Sequence, residues 1–181
     1  FRLSMRVSAK RLFANFSFLD APFNADHPTI TGIAGRKNFV VVSIAKAMMN
    51  TELGFSRKVL SAFERYGVSI EHLPTGIDTM CVVVAGDAFA PVQDKIINRI
   101  VATTNPDTIT VHDDMSIIAT VGRGMVHNCG TAAKLFGAMS KAGINVRMID
   151  QGSSELSIIV GVDDKDYEET IKAVYGAFIN Q

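Results

Sequence analysis

Apolar positions change period several times along this chain, and each change marks an element. Residues 39–44 form an unbroken apolar-rich run around Val40, Val41 and Val42, which reads as a strand buried on both faces. A polar loop over 48–53 follows, and residues 55–66 then set Val59, Leu60, Phe63 and Tyr66 on one face of a helix. Gly67 stands where a helix stop is wanted. Strands are predicted over 68–73 and 80–85, joined through the turn-forming stretch from Pro74 to Asp78. A second helix is predicted over 91–102, with Pro91 suited to its first turn and Asn105-Pro106 breaking it. A strand over 108–112 closes the unit, giving the order β-α-β-β-α-β.

The same pattern then repeats. Gly54, Lys58, Ala62 and Gly67 are matched 76 positions later by Gly130, Lys134, Ala138 and Gly143. At that offset Val68 meets Ile144, Ile70 meets Val146, Gly76 meets Gly152, Val84 meets Val160 and Asp87 meets Asp163. Two copies are too few to stack as a solenoid, so this is a duplicated domain of about 75 residues. The second copy predicts a strand over 116–121, a helix over 132–141, strands over 145–149 and 156–162, and a helix over 167–178. It is one strand short, and folds tend to cover an open strand edge. A strand over 29–34, ending in a turn at 35–38, has no place in the first copy. The economical solution inserts the first unit into the second and lets this extra strand complete the later sheet. The expected fold class is therefore α+β: two ferredoxin-like βαββαβ units with antiparallel sheets and helices on one face. Its divisions are a linker or expression-derived segment at 1–28, the completing strand at 29–38, the first unit at 39–114 and the second at 115–181.

Composition narrows the function classes. The 181 residues carry 18 basic and 18 acidic side chains, which argues against a nucleic-acid surface. No apolar run approaches the length needed to cross a bilayer, so no membrane partner is expected. Cys81 and Cys129 lie in unlike contexts and suggest a reducing, cytoplasmic compartment. Residues 1–19 are basic and free of acids, which mimics a transit peptide; with Phe1 leading, an expression scar or the end of an upstream domain is the favoured reading.

The chemistry-bearing patterns are sparse. The stretch from Gly32 to Asn38 lacks the spacing of a phosphate loop, and Gly122-Arg-Gly fails the dinucleotide fingerprint at its last glycine. His27, His72, His112 and His127 show no paired ligand spacing, so no metal site is expected. No catalytic residues are predicted. The glycine at each helix start is more informative, because bare N–H groups and the helix dipole can receive a carboxylate there. Glu71, near the start of the next strand, offers a negative charge for a ligand amine. The alternative is that Gly54 only permits tight packing and Glu71 is solvated.

With these residues in view, the chain resembles the tandem ACT regulatory region of aspartokinases over about residues 29–181. The resemblance is carried by Thr31 to Phe39, by Met48 to Val59 followed by His72 to Asp78, and by Ser153 to Ile158. The second of these is similar to the lysine-sensitive form. The family likewise inserts its first ACT unit into its second. The resemblance implies feedback control of the ATP-dependent phosphorylation of L-aspartate, with L-lysine as allosteric effector and threonine possible. It also implies a homodimer through the ACT units, with the effector between the first units of two subunits. The matching effector-binding positions are Met49, Glu52, Gly54, Phe55 and Ser56 in the loop and helix start, and Ile70 and Glu71 on the strand. Backbone around Gly54 to Ser56 would hold the carboxylate and Glu71 the ammonium. Two departures stand out: Glu52 replaces a small hydroxyl, and Glu71 an acid that is often Asp. In the second copy Arg147 stands where Glu71 stands, so that site is expected to be empty or to serve packing. The family's kinase signature, Lys-x-Gly-Gly-Thr, is absent, so ATP and magnesium would belong to a catalytic kinase domain outside these residues. The chain is expected to need no cofactor and not to catalyse alone.

Three rivals remain in view: a ferredoxin-like module that joins subunits without a ligand, an enzyme of the same fold class and an RNA-binding module. An enzyme of the same fold class would need a catalytic constellation. An RNA-binding module would need exposed aromatics on the central strands, where Val82 to Val84 and Ile158 to Val160 are aliphatic.

Overall fold

The computed structural model describes residues 29–179, and the segment 1–28 lies outside them. In chain order the elements are β1 (Gly32–Ala45), α1 (Phe55–Arg65), β2 (Ile70–His72), β3 (Thr79–Ala85), α2 (Gly86–Phe89), α3 (Gln93–Thr104), β4 (Thr108–Val121), α4 (Thr131–Lys141), β5 (Met148–Asp150), β6 (Ser157–Asp163) and α5 (Tyr167–Ile179). Short 3-10 turns join some of them, at Met49–Thr51, Ala90–Val92, Arg123–His127 and Asp164–Asp166. The described residues divide into two compact units, one spanning Lys37–Met115 and the other built from the described residues on either side of it.

In the inserted unit the strand order is β2-β3-β1-β4. Strand β1 pairs antiparallel with β3 from Phe39 opposite Ala85 to Ala45 opposite Thr79. Val40, Val42 and Ile44 of β1 alternate into one core with Val82 and Val84 of β3, and α1 and α3 cover it with Val59, Phe63, Ile96 and Ile100. Phe63 also stacks against Phe89 of α2, with ring centroids 6.1 Å apart. Val41 and Val83 point the other way in the pleat and are buried too, as the apolar run of β1 predicts.

The second unit takes the corresponding order, β5-β6-β4-β1, so the early strand completes its sheet. Ile118 of β4 and Ile158, Val160 and Val162 of β6 form its core with Leu135 and Met139 of α4 and Val174 of α5. Both units are thus ferredoxin-like, the first inserted into the second.

The duplication is physical as well as textual. After α1, Gly67 has φ 70°, its N–H donates to Glu64 O, and the N–H of Val68 donates to Phe63 O. After α4, Gly143 has φ 72°, its N–H donates to Ser140 O, and the N–H of Ile144 donates to Met139 O. This is the Schellman ending, in which a left-handed residue lets two otherwise orphaned carbonyls find donors. Phe63 with Val68, and Met139 with Ile144, are the buried apolar pairs that accompany it.

Local expectation and structure part at several places, and the strand predicted over 145–149 is the shorter and later β5, Met148–Asp150. The turn predicted at 35–38 is a single left-handed residue, Asn38 at φ 65°, within the continuous strand β1. Asparagine tolerates that region, so one irregular residue replaces a reversal. Strand β4 likewise runs unbroken from Thr108 to Val121 through Asp114 at φ 54°. The second helix begins earlier than Pro91, because α2 and a 3-10 turn lead into α3.

Candidate functional site

The loop between β1 and α1 is held by a run of short-range bonds. Met49 N–H donates to Lys46 O, Thr51 N–H to Met48 O, Glu52 N–H to Met49 O and Phe55 N–H to Glu52 O, at 3.0 to 3.2 Å. It is also pinned to the strand ends, with Ala47 N–H 2.7 Å from Asp107 Oδ2 and Lys46 N–H 3.0 Å from Asp78 O. A loop so tied has little freedom left to lose when a ligand arrives.

The loop delivers the chain to Gly54, which caps α1 at φ 76° with no side-chain cap bond. A left-handed cap is natural for glycine and costly for other residues. Lys58 N–H donates to Gly54 O, while the N–H groups of Ser56 and Arg57 find no backbone acceptor among the described residues. Those groups and the positive end of the helix dipole suit an incoming carboxylate.

A cavity of about 290 Å³ opens at this point. It is lined by Met49, Glu52, Gly54, Phe55 and Ser56, together with Thr75, Gly76 and Ile77 of the β2–β3 turn. Met49 and Phe55 are buried and anchor its inner side in the core, whereas Ile77 is exposed. Five of the seven predicted site residues thus come together. Ile70 and Glu71 do not line this cavity. Ile70 packs against the core, and Glu71, next along the strand, is exposed on the opposite side of the pleat. Both lie on β2, the outer strand of its sheet.

Sequence reasoning missed Asn50, Arg57 and the Thr75–Ile77 turn. The turn residues are brought in by strand pairing: Thr75 bridges Met80, and Gly76 N–H donates to Thr79 O at 2.7 Å. Arg57 has a local signal that a closer reading finds, being three residues past the cap. Its Nε and Nη2 lie 3.7 Å from where a Cβ on Gly54 would stand, so its guanidinium folds back over the helix start.

Glu52 carries the strongest electrostatic feature. Its carboxylate accepts from Lys46 Nζ on one oxygen and from Lys58 Nζ, at 2.7 Å, on the other. The hydrogen bond from Lys46, then that from Lys58, holds the Glu52 carboxyl below its ordinary pKa, with desolvation opposing them. Lys46 also donates to Thr104 O at 2.6 Å and sits 5.6 Å from the centre of the Phe55 ring. Glu52 is therefore a tie between loop, helix and strand end, and its charge is already answered by two lysines.

In the second unit the equivalent helix start repeats the backbone, with Gly130 at φ 83° and Lys134 N–H donating to Gly130 O. The charges differ. Arg147 Nη1 donates to Asp163 Oδ1 at 2.6 Å, so the arginine is engaged within its own unit.

Comparison with known proteins places this architecture. The ACT domain family profile matches residues 118–178. Aspartokinase 3 of Bacillus subtilis is 36% identical over 156 residues, covering 86% of this chain and 34% of the relative. The crystal structure of Clostridium acetobutylicum aspartate kinase superposes with a TM-score of 0.82 at 47% identity, covering 90% of this chain and 37% of that one. The regulatory subunit of aspartate kinase from Thermus thermophilus shares the fold with a TM-score of 0.70 at 23% identity, over 83% of this chain and 98% of the subunit. Two interleaved ACT units define the class: an amino-acid-pathway regulatory module. Within it, the chain is an ACT regulatory region of the aspartokinase family. It spans about a third of the length of the full-length relatives it matches.

Proposed function

We propose that the cavity at the start of α1 takes a free amino acid, L-lysine first and threonine as the alternative, as the allosteric effector of an aspartate kinase. The observation that carries the reading is the convergence of an uncapped helix start, Arg57 and a pre-tied loop on one cavity of about 290 Å³. Such a site answers an α-carboxylate. In the same reading β2 pairs with a second copy, whose Ile70 and Glu71 reach the cavity and supply the contact for the ammonium. Escherichia coli aspartokinase III has the same fold, with a TM-score of 0.67 at 18% identity, and was solved in complex with lysine and aspartate. That precedent supports an amino acid as the class of effector. Binding would bias a homodimer between two arrangements and so act on attached kinase domains that phosphorylate L-aspartate with ATP and magnesium in the cytoplasm. This chain binds and does not catalyse. No helix among the described residues is long and apolar enough to cross a membrane, which is compatible with that setting.

The test is a thermal-unfolding series of this chain with each of the twenty amino acids. A ligand at about 100 times its dissociation constant adds roughly 2.7 kcal/mol, raising the midpoint by roughly 5 to 10 °C for a chain of this size. A rise with lysine or threonine alone supports the reading. A flat series refutes it for this chain.

A further inference from the structure

A second cleft, of about 380 Å³, lies between α1 and α3. Arg57, Lys58, Ser61 and Arg65 line it from α1, and Arg99 and Thr103 from α3. Helical spacing gathers them: positions 57, 61 and 65 recur every four residues, as do 99 and 103. The floor is fixed, because beneath it Val59 and Phe63 pack with Ile96 and Ile100 in the core.

The lining is one-sided. All six residues are polar, four are cationic and none is acidic, in a chain whose formal net charge is zero. The acids of the two helices, Glu64 and Asp94, do not line the cleft. Lys58 is answered by Glu52 at 2.7 Å. The guanidinium groups of Arg57, Arg65 and Arg99 form no ion pair or hydrogen bond among the described residues. A merely solvated face would intersperse both signs. Thr103 gives its proton to Arg99 O at 2.8 Å, which leaves its oxygen as an acceptor, and Ser61 adds a hydroxyl.

We propose that this cleft is a binding site for a phosphate-bearing small molecule with at least two negative charges. A guanidinium presents a planar fork that matches the oxygens of a phosphoryl group in pairs. Arg65 and Arg99 bring two such forks from neighbouring helices, more than one carboxylate can answer in paired geometry, and a phosphoryl group with its several oxygens can meet both. The volume falls in the range of small-ligand sites. Arg57 borders both this cleft and the cavity at the start of α1, whereas Arg65 and Arg99 belong to the cleft alone.

Calorimetric titration of this chain at fixed ionic strength tests the assignment with pyrophosphate and ADP, and with citrate as a phosphorus-free multivalent anion. Pyrophosphate or ADP is expected to saturate a single site and to bind more tightly than citrate. An Arg65→Gln, Arg99→Gln double variant is expected to weaken that binding about tenfold or more, the usual cost of losing charged hydrogen bonds. Both positions are exposed, so the unfolding midpoint is expected to stay unchanged, and Arg99→Gln alone provides a milder second variant. Absence of saturable heat with both phosphates overturns the proposal. So does equal affinity in the variants, or binding of citrate as tight as that of the phosphates.

Discussion

Lys58 Nζ lies 2.7 Å from Glu52 Oε1, joining the first turn of α1 to the loop that precedes it. Lys46 takes the other oxygen of the same carboxylate, so one glutamate ties three segments together. The carboxyl titrates below its ordinary value, and its folded-state pKa is therefore depressed. A depressed pKa gives a stabilisation that is present above the unfolded-state value near 4.5 and is lost as pH falls through the folded value. Wild-type chain and a Glu52→Gln variant are accordingly expected to differ in unfolding midpoint at pH 7 and to converge toward pH 3. A gap that stays constant across that range would remove the carboxylate from this role.

The left-handed cap at Gly54 predicts a backbone penalty. Gly54→Ala places a Cβ no nearer than 3.7 Å to any heavy atom, so its cost is conformational rather than steric. That cost is about 1 to 2 kcal/mol, read as a midpoint lowered by roughly 2 to 8 °C. Gly130→Ala, also with positive φ and open space, is expected to cost about the same. Only the first variant is expected to weaken the response to the effector, because only Gly54 lines the cavity described at the start of α1.

Glu71 separates binding from folding. It is exposed on the outer strand β2, so Glu71→Ala is expected to lower the stability by no more than about 1 kcal/mol. Effector affinity, measured by calorimetry, is expected to fall about tenfold or more, as for the loss of a charged partner. Unchanged affinity would take Glu71 out of the site.

Phe63 tests the core of the inserted unit. It is fully buried, stacks on Phe89 and anchors the end of α1. Phe63→Ala is expected to destabilise by about 3 to 5 kcal/mol in urea titration. By contrast, Arg147→Ala removes a pair whose side chains remain about a third exposed, and its cost is expected not to exceed about 1 kcal/mol.

Much of the fold could be read from the chain because its signals are local. The alternating burial of Val40, Val42 and Ile44, the helical stripe through Val59 and Phe63, and the stop at Gly67 are each written within a dozen residues. The candidate site was half legible for the same reason. Met49, Glu52, Gly54, Phe55 and Ser56 are neighbours in sequence and meet in space. Thr75, Gly76 and Ile77 were invisible because hairpin pairing brings them there, and no periodicity encodes that. Asn38 misled for a related reason: an asparagine beside basic residues reads as a reversal, yet pairing on both sides carries the strand through one left-handed residue.

The sequence by itself determined the duplication, the βαββαβ order and the missing strand, since these follow from period, caps and counting. Tertiary structure decided which charges meet. Lys46 and Lys58 each stand six residues from Glu52, a spacing that brings no two side chains together on a helix or a strand, and only the folded loop closes both pairs. Arg65 and Arg99 share a cleft because α1 and α3 pack side by side over a common apolar floor. Hydrophobic burial is dictated by pattern along the chain, whereas electrostatic partnership depends on distances that exist only after the chain has folded.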